Sequence, residues 1–278
     1  MAAPRKKLDL RKTLFLLPNM ITLSSIFCGF DSIRLSAQAP MGSAGDDSYY
    51  RASLLLVYAL FFDMLDGRVA RLTKTQSAFG LQIDSLADVI SFGCAPAILV
   101  YKWSLYQIDT AGVVFAFVFL GAGAVRLARF NVLSMGESGK PQKPGKYIVG
   151  LPVPGAAGIL ISLVVANHAV SGDLHAYVWP LAGLIGFLAF CMVSTIKFRS
   201  FKDLKLNART VGLVLFAVIS SAVVSLKTKP AFVLVWLLTF YVAIGIIETM
   251  IMIPGNIRRR RTGEDATTTT RSSIPPAS

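Results

Sequence analysis

Apolar residues in this chain fall into long runs separated by short polar or basic segments. Eight of these runs are about 20 residues long, the length that an α-helix rising 1.5 Å per residue needs to cross the hydrocarbon core of a bilayer. They cover residues 18–38, 52–72, 86–104, 111–131, 150–169, 175–195, 210–226 and 231–253. The pattern predicts an all-α fold, a polytopic integral membrane bundle of about eight transmembrane helices.

Composition supports the membrane interpretation. Hydrophobic residues make up 54% of the 278 residues and charged residues only 15%, whereas soluble domains carry about 25% charged residues. An ordinary soluble protein is therefore excluded.

Basic residues divide unequally between the two sides of the predicted bundle. With a cytoplasmic N-terminus, 23 of the 28 Lys and Arg residues face the cytoplasm and 5 face the other side. Both termini are therefore predicted to be cytoplasmic. The net charge of +13 is explained by contact with anionic lipids, and no nucleic-acid partner is expected.

The same features divide the chain into three parts. Residues 1–17 form a basic cytoplasmic segment, residues 18–254 form the membrane-embedded domain, and residues 255–278 form a basic cytoplasmic tail. The tail has few apolar residues to pack, so we expect it to be disordered.

Two neighbouring predicted helices carry acidic residues at helical spacing. The first places Asp63, Asp66, Gly67, Ala70 and Arg71 on one stripe, and the second begins with Gly80, Asp84 and Asp88, each four residues apart. A polar link over residues 73–77 allows the two helices to fold back on each other. The sequence therefore predicts that four carboxylates converge.

Acidic residues in a membrane are costly and need compensation. Each costs roughly 2.5–3.5 kcal/mol at mid-bilayer, and four together also repel one another. All-oxygen ligands favour a hard divalent cation such as Mg²⁺ or Mn²⁺. Four carboxylates suffice for two such ions with shared ligands, an arrangement used in phosphoryl displacement.

The small and basic residues on these stripes have two interpretations each. Gly67, Ala70 and Gly80 suit close helix packing, or they leave room for a ligand. Arg71 suits a snorkelling position at the interface, or a contact with a diphosphate. The neighbouring acids favour the ligand-binding interpretation.

Residues 63–88 match the pattern D-x2-D-G-x2-A-R-x8-G-x3-D-x3-D at every fixed position. This resembles the signature of the CDP-alcohol phosphotransferase family, integral membrane enzymes that use two divalent metals to displace CMP from a CDP-linked substrate. The resemblance implies that Asp63, Asp66, Asp84 and Asp88 are metal ligands and that Asp88 is also the catalytic base. It also implies that Gly67, Ala70, Arg71 and Gly80 line the CDP-diacylglycerol site.

Further stretches resemble one branch of that family over most of residues 13–250. They are residues 17–22 (LPNMIT), 126–131 (RLARFN), 150–154 (GLPVP) and 192–202 (MVSTIKFRSFK). They are similar to the bacterial and archaeal members that use serine as the acceptor. The resemblance implies transfer of the phosphatidyl group of CDP-diacylglycerol to L-serine, in a homodimer in the cytoplasmic (inner) membrane.

Several polar residues in these stretches are candidate ligands with an ordinary alternative. Arg126 and Arg129 offer forked donors for a carboxylate or phosphate of the serine site, or they anchor a helix end by the positive-inside tendency. Asn131 either joins them or caps the helix. Asn19 and Thr22 either hydrogen-bond the nucleotide or an adjacent helix.

Two other functions remain open from sequence. The signature recognises the CDP group, so choline, glycerol 3-phosphate or an inositol phosphate could replace serine as the acceptor. Intramembrane carboxylates also mark cation pathways, which makes a cation transporter a distant alternative. Asp66 lies six residues before Leu72, about 9 Å along a helix, so the site is expected in the cytoplasmic half of the membrane.

Overall fold

The structure, a computed structural model, describes residues 10–73, 75, 77–134, 147–195 and 197–199. The predicted spans at 210–226 and 231–253 and the tail at 255–278 lie outside the described residues. In the described part, the α-helices are α1 (Leu10–Gln38), α2 (Asp46–Leu72), α3 (Ala78–Asp88), α4 (Ala95–Trp103), α5 (Asp109–Ser134), α6 (Val153–Val170) and α7 (Val178–Val193). A π-helix, Val89–Cys94, joins α3 to α4, and short 3-10 turns lie at Gly42–Gly45, Leu105–Ile108 and Leu174–Ala176.

Four helical stretches of the described part are long and apolar enough to cross a membrane. They are Leu16–Gln38, Ala78–Trp103, Leu105–Leu133 and Val153–Val170. The apolar α7 is shorter, and α2 carries acidic and basic residues in its second half. These helices identify a membrane protein, while the eight spans and their orientation stay predictions.

The observed helix bounds differ most from the predicted runs at the starts of the first three helical stretches, since α1 begins at Leu10 and α2 at Asp46, eight and six residues before the predicted starts. The run predicted at 86–104 begins eight residues earlier, at Ala78, because α3, the π-helix and α4 form one continuous stretch. Pro96 lies in the first turn of α4 and has no N–H for the preceding turn, which accounts for the widened π-helical register before it.

The described part of the chain is helical apart from a two-stranded ribbon that the all-α prediction did not include. Strands β1 (Tyr147–Val149) and β2 (Lys197–Arg199) pair antiparallel, with Ile148 opposite Phe198. The ribbon forms because the chain that enters α6 and the chain that leaves α7 run side by side. Their backbone groups can then hydrogen-bond to each other.

Helix α1 packs along α2 and against the π-helix, and small residues allow the close approach. Ser25 Oγ donates to Ala59 O of α2 at 3.2 Å, and Ser91 Oγ of the π-helix donates to Ser25 O at 3.0 Å. Gly29 lies directly against Ser91. These contacts hold α1, α2 and the π-helix together next to the segments that carry the acidic residues.

We expect Gly29→Ala to destabilise the protein. The added Cβ would lie 2.6 Å from Ser91 Oγ and 2.8 Å from Ser91 Cα, so the backbone must move, at a cost of about 1–3 kcal/mol. The thermal midpoint of the detergent-purified protein should fall. Gly121→Ala is the control, because a Cβ there meets nothing within 4 Å and alanine favours a helix. Equal midpoints for the two variants would contradict this account of the packing.

Candidate active site

Acidic residues from two consecutive helices form the centre of the site. Asp63 and Asp66 lie in the second half of α2, and Asp84 and Asp88 lie on α3. Two hydrogen bonds hold the short link between the helices in a turn. Thr75 N donates to Ala70 O at the end of α2, and Ser77 caps α3 by accepting a hydrogen bond from Gly80 N at 2.9 Å. This link brings the end of α2 and the start of α3 together.

Three of the carboxylates converge. Asp63, Asp66 and Asp84 each offer an oxygen, and these oxygens all lie within 4.8 Å of one another. Asp66 is buried, with 4% of its surface exposed, and the other two are half-buried. Three carboxylates that are buried or half-buried among apolar helices need a positively charged partner to offset their charge.

Asp88 joins the cluster through Asp63. A hydrogen bond links the two carboxyl groups, and the positive charge of Arg126 acts on Asp88 from α5. Asp88 Oδ1 is buried, and no described residue hydrogen-bonds to it. The fourth acid of the signature therefore lies beside Asp63, interacts electrostatically with Asp84, and has one carboxylate oxygen without a described hydrogen-bond partner.

This donor set fits a divalent cation. The three carboxylate oxygens lie within 4.8 Å of one another. One cation can therefore contact all of them at a typical metal–oxygen distance of about 2.0–2.6 Å. All the ligands are hard oxygens, which suit Mg²⁺ or Mn²⁺.

The small residues of the signature border the acids. A Cβ on Gly67 would lie 3.6 Å from Arg71 Nη1, so the exposed Arg71 lies beside this glycine. A Cβ on Gly80 would lie 3.7 Å from Asn19 Oδ1, which places the Asn19 carboxamide next to the first turn of α3. Ala70 is half-buried on the same helix as Gly67. A Cβ at either glycine would therefore meet a polar side chain: Arg71 Nη1 for Gly67, and Ser77 Oγ, at 3.2 Å, and Asn19 Oδ1 for Gly80.

Thr22 contacts an acid directly. Its hydroxyl Oγ1 donates to Asp66 Oδ2 at 2.7 Å, and the residue is buried, with 4% exposed. Sequence reasoning assigned Thr22 to the nucleotide or to an adjacent helix. The partner could not be identified from sequence, because the two residues are 44 positions apart.

The three α5 residues grouped by sequence have different surroundings. Arg126 is buried, with 7% exposed, and acts on Asp88. Arg129 donates to backbone carbonyls where the chain enters α6 and leaves α7: Nη1 to Val193 O at 3.0 Å, and Nη2 to Ser194 O at 3.2 Å and Val149 O at 3.5 Å. Contact of Arg129 with a substrate stays a prediction.

Asn131 links α5 to the acid-bearing α3. Its Oδ1 accepts a hydrogen bond from Ser85 Oγ at 3.1 Å, and its Nδ2 donates to Gln82 Oε1 at 3.4 Å. Sequence reasoning missed Ser85 and Gln82. The available signal was two polar side chains next to Asp84 in an otherwise apolar segment.

A carboxylate cluster between helices of an apolar bundle defines a membrane protein with a polar site that could hold a cation. The chain belongs to the CDP-alcohol phosphatidyltransferase family, whose model matches residues 15–188. This range contains all four acids and most of α1.

Curated relatives share one name. The chain is 38% identical over 205 residues to a CDP-diacylglycerol–serine O-phosphatidyltransferase of Helicobacter pylori, covering 73% of this chain and 79% of the relative. It is 31% identical over 186 residues to the Bacillus subtilis protein of that name, covering 67% and 91%. The Methanocaldococcus jannaschii protein of that name is 36% identical over 154 residues, covering 54% and 65%.

We expect Arg129→Lys to lower the thermal midpoint. Lysine has one nitrogen and cannot span the three carbonyls that the guanidinium reaches, so we expect a loss of about 1–3 kcal/mol. Arg51→Lys is the control, because Arg51 is exposed. An unchanged midpoint, with a raised KM for the acceptor as the main effect, would instead favour direct contact with substrate.

Proposed function

We propose that this protein transfers the phosphatidyl group of CDP-diacylglycerol to the hydroxyl of L-serine, giving phosphatidylserine and CMP. The observation that carries the proposal is the convergence of Asp63, Asp66 and Asp84, with Asp88 joined to Asp63, inside a family match. Serine is supported as the acceptor by the name that the relatives share.

The four acids would hold two divalent cations, Mg²⁺ or Mn²⁺. Asp63, Asp66 and Asp84 contribute the converging oxygens, and Asp88 contributes its unpartnered Oδ1. Cations bound there would polarise the diphosphate and offset charge on the attacking and leaving oxygens.

Asp88 is the proposed base. Its carboxylate takes the proton of the serine hydroxyl, whose oxygen attacks the phosphorus that bears diacylglycerol. The new P–O bond to serine forms as the bond from that phosphorus to the CMP oxygen breaks, and CMP leaves with the electron pair. The buried position of Asp88 keeps bulk water, a competing nucleophile, away from the reaction.

We assign the CDP group to the surface beside the acids that Gly67, Ala70 and Gly80 border. The small side chains there let the nucleotide approach the helix backbone, Arg71 donates to the diphosphate, and the Asn19 carboxamide lies next to Gly80. Thr22 belongs to this set by sequence, but its hydroxyl donates to Asp66.

A groove beside the site suits the apolar part of a lipid substrate. It is a shallow, open groove of about 380 Å³ between α1 and α2, and its lining is formed by Met20, Leu23, Ser24, Phe27, Cys28 and Phe62. Phe62 precedes Asp63, so an acyl chain in this groove would run from the acids into the bilayer.

The acceptor is assigned to the end of α5. Arg126 is the first candidate for the serine carboxylate or a phosphate, because it is buried and its charge already acts on Asp88. Arg129 and Asn131 lie on the same helix end and complete the proposed serine or phosphate site.

The topology and assembly extend the proposal. We place about eight spans in the bacterial cytoplasmic membrane, with both termini and the active site on the cytoplasmic side, and assign residues 18–254 to the catalytic domain. The family resemblance favours a homodimer.

Purified protein supplied with CDP-diacylglycerol, Mn²⁺ and labelled serine should produce a labelled lipid and CMP. Choline, glycerol 3-phosphate and an inositol phosphate serve as parallel acceptors and should give no product. Product with one of these and none with serine would overturn the acceptor assignment and leave the family intact. Metal flux into liposomes without lipid turnover would favour the transporter.

We expect Asp88→Asn to abolish most turnover and retain most CDP-diacylglycerol binding. An amide cannot take the serine proton, a step that contributes about 10²–10⁴-fold in rate, whereas three carboxylates and Arg71 remain to hold the diphosphate. Asp63→Asn should weaken metal and substrate binding together.

Turnover and substrate-induced thermal shifts separate these effects, and Asp47→Asn is the control because Asp47 is exposed at the opposite end of α2. A loss smaller than about tenfold for Asp88→Asn would contradict its role as the base.

A further inference from the structure

The hydrogen bond from Thr22 to Asp66 joins α1 to the acid cluster. At 2.7 Å between Thr22 Oγ1 and Asp66 Oδ2, it has the length of a hydroxyl donating to a carboxylate. Thr22 Oγ1 also lies 3.1 Å from Pro18 O, but a hydroxyl has one proton, and the charged carboxylate is the closer and stronger acceptor. Pro18 O can accept the backbone N–H of Thr22 within α1.

The position of Thr22 argues against a direct contact with the nucleotide. Only 4% of the residue is exposed, and its one hydroxyl proton is already donated to Asp66. A nucleotide contact would have to take that proton from a buried carboxylate. Asn19, one turn earlier on α1, is half-buried and lies next to Gly80, where the CDP group is assigned.

We propose that Thr22 is a positioning residue that fixes the Asp66 carboxylate for metal binding. Hydrogen bonds to a ligating group hold it in the orientation that the metal requires, and losing one typically weakens metal affinity or activity about 10–100-fold. The inference rests on the proposed metal-holding role of Asp66. It adds a residue of α1 to the proposed metal site, whose four acids all lie on α2 and α3.

Ser25 provides a matched comparison. One turn after Thr22, it is also buried, and its hydroxyl also donates to α2, but to the backbone carbonyl of Ala59 instead of an acid. If Thr22 only joins the two helices, the two residues should behave alike. If Thr22 positions Asp66, only its loss should affect metal binding.

The test measures Mn²⁺ affinity of the purified full-length protein by electron paramagnetic resonance, without lipid or nucleotide. Thr22→Val replaces the hydroxyl by a methyl group of similar size, and we expect it to weaken Mn²⁺ binding about tenfold. Thr22→Ser keeps the hydroxyl and should restore wild-type affinity. Ser25→Ala should bind Mn²⁺ as the wild type does. Thr22→Ala replaces Thr22→Val if the valine variant does not fold.

Two further measurements separate the possible failures. CDP affinity at saturating Mn²⁺ should be unchanged in Thr22→Val, and its loss there would overturn the proposal in favour of a nucleotide contact. Wild-type Mn²⁺ affinity in Thr22→Val, or an equal loss in Ser25→Ala, would overturn it as well. Asp66→Asn tests the underlying assumption, since unchanged Mn²⁺ affinity in that variant would refute the metal role of Asp66 itself.

Discussion

Carboxylates gathered inside an apolar helical bundle repel one another, and much of the surrounding structure holds them in place. Asp63, Asp66 and Asp84 bring oxygens within 4.8 Å of each other, and Asp88 hydrogen-bonds to Asp63. Burial strengthens the repulsion, because the low dielectric of the interior screens charge poorly. The site therefore depends on a compensating positive charge, and its all-oxygen chemistry favours divalent cations.

Helices α1 and α5 each contact the acid-bearing pair formed by α2 and α3. From α1, Thr22 donates to Asp66. From α5, Arg126 acts on Asp88, and Asn131 hydrogen-bonds to Ser85 on α3. Contacts distant in sequence thus act on Asp66, on Asp88 and on the helix α3 that carries Asp84 and Asp88. Preorganisation of this kind lets a site bind cations and a diphosphate without rearranging at the moment of reaction.

The two arginines of the RLARFN stretch show how one motif can serve two purposes. Arg126 is buried toward the acids, whereas the Arg129 guanidinium binds the carbonyls of Val193, Ser194 and Val149. Three residues advance a helix by about 300°, which leaves the two side chains about 60° apart and about 4.5 Å apart along the axis, so the second can reach the carbonyls at α6 and α7. Spacing alone cannot assign such a pair, because both positions carry the same chemical group.

The sequence by itself determined the helical membrane character, the approximate bounds of the described helices and the identity of the acids. Run length and helical period are local properties and can be seen without a fold. Only the tertiary structure decided that Thr22 meets Asp66 across 44 residues, that Asn131 meets Ser85 across 46, and that β1 pairs with β2. Those contacts depend on how the helices pack, and packing is set by side chains far apart in the chain, which no local pattern encodes.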